Sequence, residues 1–386
     1  MRGQGLCGGG NGGSIDFITL LRGLAAVFVV IFHLWLTYCY GDISAVFPYL
    51  KVSRPIEGLR MVDLRPIFDR AHFTLGSVGV ATFFLITGFL ANHGIDRATP
   101  AKYLWKRALR IYPTYIACFS ITFFNIWLYT RMTGQAFPYG FSDWLAQVSL
   151  FREVFWIPSI DGASWTLEAQ IKFYLLIALL ATLRRNRSAK GIVLTSMVIA
   201  GTSMLFSINM PRIMGAGNVF LTRLGSNWLL ACFCLSYMLL GIPFYQHHTG
   251  RWNAGKAFAA TAIIYAMFVA CALAFSENAV SNIVNYTYGL ALFAVCYILS
   301  RSTGGGVFRF RPLLFISKIS YPLYAVHGLN GYILMTWLYN RGVKLYLCLA
   351  AAIIASLAVA CIVHRFVEEP IGRLIRRGSR PAARDA

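Results

Sequence analysis

The stretch Ile15-DFITLLRGLAAVFVVIF-His33 is apolar enough to cross a membrane, yet it carries Arg22 and ends on His33. In an α-helix this spacing is close to three turns, so both side chains would project from one face, about 16 Å apart along the axis. A guanidinium or an imidazole within an apolar span is costly unless it faces a polar cavity. The pair therefore predicts a membrane helix with anion binding at one end of a polar face and proton chemistry at the other.

Each member of this pair also has a simpler interpretation. Arg22 can snorkel from near the inner end of the span to the lipid headgroups. His33 can make an ordinary hydrogen bond between two helices. Their shared face favours one joint polar site over two unrelated polar residues.

The composition of the whole chain is that of a polytopic membrane protein. Of 386 residues, 58% are hydrophobic and 13% are charged, against roughly 25% charged in soluble domains. The mean hydropathy is +0.61. Apolar stretches of about 20 residues recur along the chain, the length that a bilayer core requires. The predicted fold class is an all-α integral membrane protein with about ten transmembrane helices, at 15–40, 74–94, 109–130, 163–183, 190–210, 224–245, 257–275, 282–300, 319–339 and 344–364.

The net charge is +21, and the basic residues that produce it are unevenly divided between the two sides of the membrane. If the N-terminus is inside, inner segments hold 22 of the 35 basic residues and outer segments hold 11, with Arg22 and Lys172 within spans. This positive-inside bias predicts that both termini are cytoplasmic, so the charge is no sign of a nucleic-acid partner. The nine cysteines lie mostly in apolar spans, where they act as small hydrophobic residues, and we expect no metal site or disulfide framework.

The sequence divides into a flexible Gly-rich leader at 1–14, a membrane domain at 15–366 and a basic cytoplasmic tail at 367–386. We do not expect the leader to be a cleaved signal peptide, because it is Gly-rich and lacks a run of small residues after a hydrophobic core. Two outer segments are long. Residues 41–73 mix acidic and basic side chains, and 131–161 are aromatic and amphipathic. The aromatic segment can bind sugar rings, or it can form an interfacial aromatic belt.

Two further segments place charges in or beside spans. Arg107 and Arg110 lie three residues apart at the inner boundary of the third span, so they share a helix face and can grip a phosphate. Ordinary positive-inside charge explains them equally well. In the fourth span Glu168 is a lone carboxylate with Lys172 as its obvious i+4 partner. That ion pair can be structural, although ionisable groups inside a membrane are functional candidates by default.

The ninth predicted span begins with a polar stripe. Ser320, Tyr324 and His327 follow one another at spacings of four and three, which puts them on roughly one helix face. Pro322 lies near the helix start, where proline is tolerated.

In their order along the chain, these segments resemble the acyltransferase-3 family of membrane O-acyltransferases, from Asp16 to about Arg377. Each motif is weak alone, but six in order on a ten-span chain are specific. The motifs are Arg22-x10-His33, Phe83-FLITGF-Leu90, Arg107-xx-Arg110-IYP, Trp165-TL with Phe173-Tyr174, Ser320-YPLYxx-His327, and Glu369-Pro370.

The resemblance implies acyl transfer from cytoplasmic acyl-CoA, with acetyl-CoA as the family default, to a hydroxyl of an extracytoplasmic or lipid-linked glycan. It implies a multi-pass protein of the bacterial inner membrane. His33 would be the main catalytic base. Arg22, Arg107 and Arg110 would bind the CoA phosphates or orient the donor. Tyr324, Ser320 or Arg22 would donate hydrogen bonds to the oxyanion, and Glu168 and His327 complete the predicted catalytic residues.

The chain departs from the family pattern at Gln170, where many members carry a glutamate five residues after the motif tryptophan. Glu168 lies two residues earlier, about 200° around the helix, so either it replaces that glutamate or the acid is dispensable. We expect none of the C-terminal esterase-like domain that many relatives carry. The rival function is a transporter or exporter of small carboxylates or glycolipids, which inner basic sites and span histidines also suit, although no inverted repeat is evident.

Overall fold

The computed structural model describes residues 13–41, 43–53, 70–302 and 310–377, and in these ranges the regular structure is helical, without strands. The predicted all-α class is confirmed. Most of the leader, most of the acidic and basic segment 41–73 and the end of the tail fall outside the described residues. The division into leader, membrane domain and tail therefore stays a prediction.

Fourteen helices of the described ranges are numbered here in chain order. They are α1 Gly13–Ile31, α2 Ile43–Val46, α3 Leu75–Ile95, α4 Pro100–Met132, α5 Phe141–Ser149, α6 Ser164–Thr182, α7 Ala189–Gly215, α8 Val219–Leu239, α9 Gly241–His248, α10 Ala254–Phe275, α11 Ala279–Ser302, α12 Arg311–Tyr339, α13 Leu345–Val363 and α14 Glu369–Arg377.

Each of the ten predicted spans coincides with a helix. Nine helical stretches of the described chain are long and apolar enough to cross a membrane. The tenth helix, α12, falls outside that set, and its 29 residues carry the polar stripe of the predicted ninth span. Its polarity is explained by its position, because it packs against α1, α4 and α13 in the interior of the bundle.

The first span is not one regular helix. After α1 the chain continues as a π-helix over Phe32–Thr37 and a short α-helical turn over Tyr38–Tyr40. His33 is the second residue of the π-helix. Such wide turns are rare and often occur at functional sites. The wide turn changes the direction of His33 relative to Arg22 from that expected for a straight helix.

Two glycines let the central helices approach closely. A Cβ on Gly23 would lie 2.3 Å from the Leu313 carbonyl oxygen, and a Cβ on Gly88 would lie 1.9 Å from that of Met238. Only glycine allows backbones to approach this closely. The first contact sets α1 against the start of α12 beside Arg22, and the second sets α3 against α8.

Three connections meet at one end of the bundle, which we call the basic end. Asp96 follows α3, Arg187 precedes α7, and Arg251 precedes α10. The Arg187 Nε atom lies 2.8 Å from Asp96 Oδ1, and Arg251 donates a hydrogen bond to the other oxygen. Tyr245 also donates to Asp96. These contacts bring the basic loops after the second, fourth and sixth predicted spans to one side.

The aromatic segment between α4 and α6 is not a simple external loop. Trp144 donates to Ser120, the Tyr112 hydroxyl donates to the carbonyl of Ser149, and Tyr115 donates to Asp161. Since α4 has 33 residues, these contacts lead from the far end of α4 to roughly 20 Å from its start. The segment therefore folds back along α4 as a re-entrant element.

The exposed side chains of this re-entrant element are large and apolar. Phe141 is 74% exposed, Val154 63% and Phe155 67%, as expected for a surface that contacts lipid. Irregular backbone at membrane depth is tolerated where protein covers its polar groups. The position of Asp161 fits this rule, because its carboxylate accepts hydrogen bonds from the backbone of Ala163 and Ser164 at the start of α6.

Candidate active site

A polar cavity lies among α1, α3, α4, α6 and α12. It encloses about 120 Å³. All three arginines that the sequence predicted for donor binding contribute to its wall, namely Arg22, Arg107 and Arg110. A second cavity of about 400 Å³ at the basic end shares Arg107, Arg110 and Glu368 with the first. The two cavities thus adjoin and lead from the basic end into the bundle.

The three arginines differ in the number of contacts that their guanidinium groups make within the protein. Arg107 donates to the Leu90 carbonyl at 2.9 Å, and its guanidinium lies 4.8 Å from the ring centre of Tyr174 and 5.2 Å from that of Tyr103. Arg22 and Arg110 have no hydrogen bond or ion pair with another described residue. Their guanidinium groups therefore remain available for an anion in the cavity.

Glu368 is the acidic side chain among the described residues that line this cavity. It ends the π-helix His364–Glu368 that follows α13, and its carboxylate lies 2.7 Å from His364 Nδ1. Sequence reasoning singled out the neighbouring Glu369-Pro370 and missed Glu368. Two consecutive glutamates directly after the last predicted span could have indicated a site there. The π-helix that turns Glu368 toward the cavity has no signature in the sequence.

His33 and His327 form a direct contact beyond the inner end of the cavity. The Nδ1 atom of His33 lies 2.8 Å from Nε2 of His327. His327 is buried, and its Nδ1 lies 3.0 Å from the Leu323 carbonyl oxygen and 2.9 Å from that of Tyr324. The structure thus brings together two of the predicted catalytic residues, which the sequence placed on separate spans.

The hydrogen-bond partners define the tautomer of a neutral pair. A carbonyl oxygen only accepts, so Nδ1 of His327 carries the hydrogen and its Nε2 is an acceptor. His33 Nδ1 must then donate to His327, which leaves Nε2 of His33 with a free lone pair. Nε2 of His33 can therefore accept a proton, while His327 holds the imidazole by its other nitrogen.

Tyr324 and Phe83 separate the cavity from the histidine pair. Both line the cavity, and their rings meet edge to face at 5.8 Å. The Tyr324 hydroxyl lies 3.0 Å from the hydroxyl of Thr166, and its ring centre lies 6.0 Å from that of His327. Ser320 also lines the cavity, as the predicted polar stripe required, but His33 and His327 are not among the lining residues. Arg22 lines this cavity, whereas His33 contacts His327 beside it, so the joint site of Arg22 and His33 stays a prediction.

The predicted ion pair between Glu168 and Lys172 is also wrong. Glu168 Oε1 lies 3.0 Å from Arg152 Nε, and Lys172 pairs instead with Glu153. Both new partners come from the re-entrant element, whose fold the sequence did not reveal. Glu168 is buried and is not among the residues that line the cavity, whereas Gln170 on the same helix is.

Comparison with known proteins agrees with this picture. Residues 15–365 match a family described as an acyltransferase domain, of the acyltransferase-3 type. A protein of Acidianus two-tailed virus named "Putative acetyltransferase ORF330" is 24% identical over 327 residues, which cover 80% of this chain and 81% of that protein.

Two rhizobial proteins are similar over shorter stretches. Nodulation protein 10 of Rhizobium leguminosarum bv. viciae is 25% identical over 203 residues, covering 47% of this chain and 48% of its own length. Exopolysaccharide production protein ExoZ of Rhizobium meliloti (strain 1021) is 30% identical over 152 residues, which cover 35% of this chain and 44% of that protein. No solved structure matches the chain. Because the family match spans nearly the whole chain, this protein belongs to the acyltransferase-3 family and is a multi-pass membrane O-acyltransferase.

Proposed function

We propose that this enzyme transfers an acyl group, acetyl by family default, from cytoplasmic acyl-CoA to a hydroxyl of an extracytoplasmic or lipid-linked glycan. The observation that carries the proposal is the His33–His327 hydrogen bond, which Tyr324 separates from an arginine-lined cavity. The names of the two rhizobial relatives, which refer to nodulation and to exopolysaccharide, support a glycan acceptor. A bacterial inner membrane with the basic end in the cytoplasm is the matching location.

The adjoining cavities suit an anionic donor with a long narrow arm. The nucleotide phosphates of CoA would lie at the basic end, near Arg110 and Arg107, where guanidinium groups can bind phosphate oxygens in pairs. The pantetheine arm would pass Arg22 and carry the thioester toward Tyr324. For the thioester to reach His33, the Tyr324 ring must move aside from the position it has here.

The proposed chemical step is direct acyl transfer. Nε2 of His33 takes the proton of the acceptor hydroxyl as the oxygen attacks the thioester carbonyl carbon. The new C–O bond forms, the C–S bond breaks, and the CoA thiolate leaves with the proton that His33 received. The Tyr324 and Ser320 hydroxyls and Arg22 all line the cavity and are the candidate donors to the carbonyl oxyanion.

His327 would act through His33 as a positioning residue. When His33 takes the proton it becomes an imidazolium, and the hydrogen on its Nδ1 still points at the lone pair of His327 Nε2. A charge-assisted hydrogen bond of this kind is stronger than the neutral one. His327 would therefore favour the protonated state of His33 during the reaction.

The function is tested by transfer of labelled acetyl. Membranes containing the protein are incubated with labelled acetyl-CoA and an envelope glycan extract, with wild-type protein beside His33→Ala. We expect label in the glycan with the wild type and none above background with His33→Ala at equal expression. Equal labelling by the variant would exclude His33 as the base. Absence of label with both proteins, with acetyl-CoA intact, would point first to another acyl group as the one transferred, and then to the transport of a carboxylate or glycolipid.

A further inference from the structure

The second polar cavity, at the basic end, has two cationic side chains in its wall that the first cavity lacks. Besides the two arginines that both cavities share, Lys106 of α4 and Arg376 of α14 line it. Its volume of about 400 Å³ lies within the usual range of small-molecule sites. Lys106 is half-buried and Arg376 is exposed, and neither makes a hydrogen bond or an ion pair with another described residue. Both charges are therefore available to a ligand.

The acidic side chains of this cavity do not neutralise these two cations. Glu368 and Glu369 both line the cavity, and each has a different basic neighbour. The carboxylate of Glu368 lies 2.7 Å from His364 Nδ1, and that of Glu369 lies 3.7 Å from Arg365 Nη1. The positive charges of the wall thus outnumber its acids, which favours an anionic ligand with more than one charged group.

The cations follow one another along the path from the basic end into the bundle. On α4, Lys106 and Arg110 share a helix face at a spacing of four residues, so Lys106 lies roughly 6 Å nearer the start of the helix. That start follows Asp96, at the basic end. The helix α14, which carries Arg376, packs against α4. A ligand that enters from the basic end therefore meets Lys106 and Arg376 first, then the shared arginines, and Arg22 last.

This order matches the charges of CoA. Its diphosphate joins the nucleotide to the pantetheine arm, and a separate phosphate monoester lies on the 3′ oxygen of the ribose, farther from the thioester. With the diphosphate at the arginines that both cavities share, the ribose phosphate falls in the second cavity. A phosphate monoester carries about −1.5 to −2 charges at pH 7 and three acceptor oxygens. The phosphopantetheine arm of a carrier protein lacks this group.

We infer that Lys106 and Arg376 bind the 3′-phosphate of CoA and make the enzyme specific for free CoA thioesters. The inference rests on the function proposed above and deepens it, because it adds two specificity-determining residues to the donor site. A donor without the ribose phosphate, such as a dephospho-CoA or a carrier-protein thioester, would leave both cations without their anion.

Two donors that differ by this phosphate alone test the inference. Acetyl-CoA and acetyl-3′-dephospho-CoA, both labelled in the acetyl group, are compared as donors to an envelope glycan extract. Thermal unfolding of the purified protein with increasing CoA or 3′-dephospho-CoA gives the two affinities without turnover. The variants are Lys106→Gln and Arg376→Gln. Lys102→Gln and Arg373→Gln are the matched controls, since they remove the same charges from the same helices at exposed positions that line neither polar cavity.

We expect the wild type to bind CoA roughly tenfold or more tightly than 3′-dephospho-CoA, with KM for the two acetyl donors in the same ratio. Lys106→Gln should remove most of this preference. Arg376→Gln should lower it roughly threefold, because a charge pair exposed to water is weaker. Both variants should keep the wild-type affinity for 3′-dephospho-CoA, and both controls should equal wild type with either ligand.

Equal affinity of the wild type for the two ligands would overturn the inference, and this comparison does not depend on any variant folding. An equal loss with both ligands in Lys106→Gln and Arg376→Gln would also overturn it, as would the same loss of preference in the controls. Labelling of the glycan by both donors with one KM would leave the proposed function standing and the inference refuted. If neither donor labels the glycan but the wild type still prefers CoA, acetyl transfer fails and the phosphate site stands.

Discussion

The imidazoles of His33 and His327 meet at 2.8 Å although 294 positions separate them in the sequence. His327 is anchored to carbonyl oxygens of its own helix, and His33 sits in a π-helical turn of the first span. The contact therefore combines a buried, oriented imidazole with one whose second nitrogen is free. The proposed roles of base for His33 and orienting partner for His327 need such an arrangement.

Arg22 is expected to act on donor binding. Replacing it with Met removes one of the two cavity guanidinium groups that make no hydrogen bond with another described residue, so KM for acyl-CoA should rise roughly tenfold or more. Arg131→Met serves as the control, since Arg131 lies at the far end of α4 and lines neither polar cavity. Initial rates over a range of acyl-CoA concentrations separate KM from kcat. A fall in kcat with KM unchanged would contradict a role in donor binding.

Glu168 is expected to support the fold and not the chemistry. Its side chain and that of Arg152 are 1% and 8% exposed, and removing one partner of a buried ion pair costs about 3–5 kcal/mol. Glu168→Ala should therefore lower the thermal unfolding midpoint of the detergent-solubilised protein markedly. Adding Arg152→Met should recover part of the loss, because no charge is then left unpaired.

Activity per folded molecule decides between the two roles of Glu168. We expect Glu168→Gln to keep transfer within a few-fold of wild type at a temperature where it stays folded. Complete loss of transfer by a folded Glu168→Gln protein would restore Glu168 to the catalytic set.

The Asp96 cluster should make stability sensitive to acid. Burial alone would raise the pKa of the Asp96 carboxyl, but hydrogen bonds from Arg251, Tyr245 and Arg187 lower it below its ordinary value of 3.8. The stabilisation is therefore complete above pH 3.8 and is lost as the pH falls through the lower folded-state pKa.

The measurement for Asp96 is the unfolding midpoint between pH 7 and pH 3. Asp96→Asn should be less stable than wild type by about 1 kcal/mol at pH 7, and the gap should close as the pH falls below the ordinary carboxyl pKa. A gap that stays constant over this range would show that the charge of Asp96 does not stabilise the basic end.

Gly23 should tolerate no side chain. A Cβ there would lie 2.3 Å from the Leu313 carbonyl oxygen, whereas a Cβ on Gly201, also within a helix, meets no atom within 4 Å. Gly23→Ala must push α1 away from α12 and should lower the unfolding midpoint, with a cost of about 1–3 kcal/mol. Gly201→Ala should be neutral or slightly stabilising, since alanine favours helix. Equal behaviour of the two variants in thermal unfolding would contradict the close crossing.

The helices could be predicted from the sequence because apolar length alone requires them. Every predicted span coincides with a helix, and Arg22, Arg107 and Arg110, predicted from charges near span ends, share one cavity. Local pattern is sufficient for such features, since it depends on residues close together in the chain.

The contacts that complete the site could not be predicted because they join distant segments or depend on irregular backbone. The i+4 spacing predicted Lys172 as the ion-pair partner of Glu168, but the partner in the structure is Arg152 of the re-entrant element. The π-helical turns that position His33 and Glu368 have no periodic signal in the residues. Nor does hydropathy reveal that a segment between two spans returns to membrane depth.

The most direct test of the central claim is a double-mutant cycle on acetyl transfer with His33→Ala, His327→Ala and the double variant. If His33 is the base and His327 acts only through it, His33→Ala should lose about 10²–10⁴-fold. His327→Ala should lose about 10–100-fold, and the double variant should be no slower than His33→Ala alone. A double variant whose loss is the product of the two single losses would contradict the account, because the histidines would then act independently.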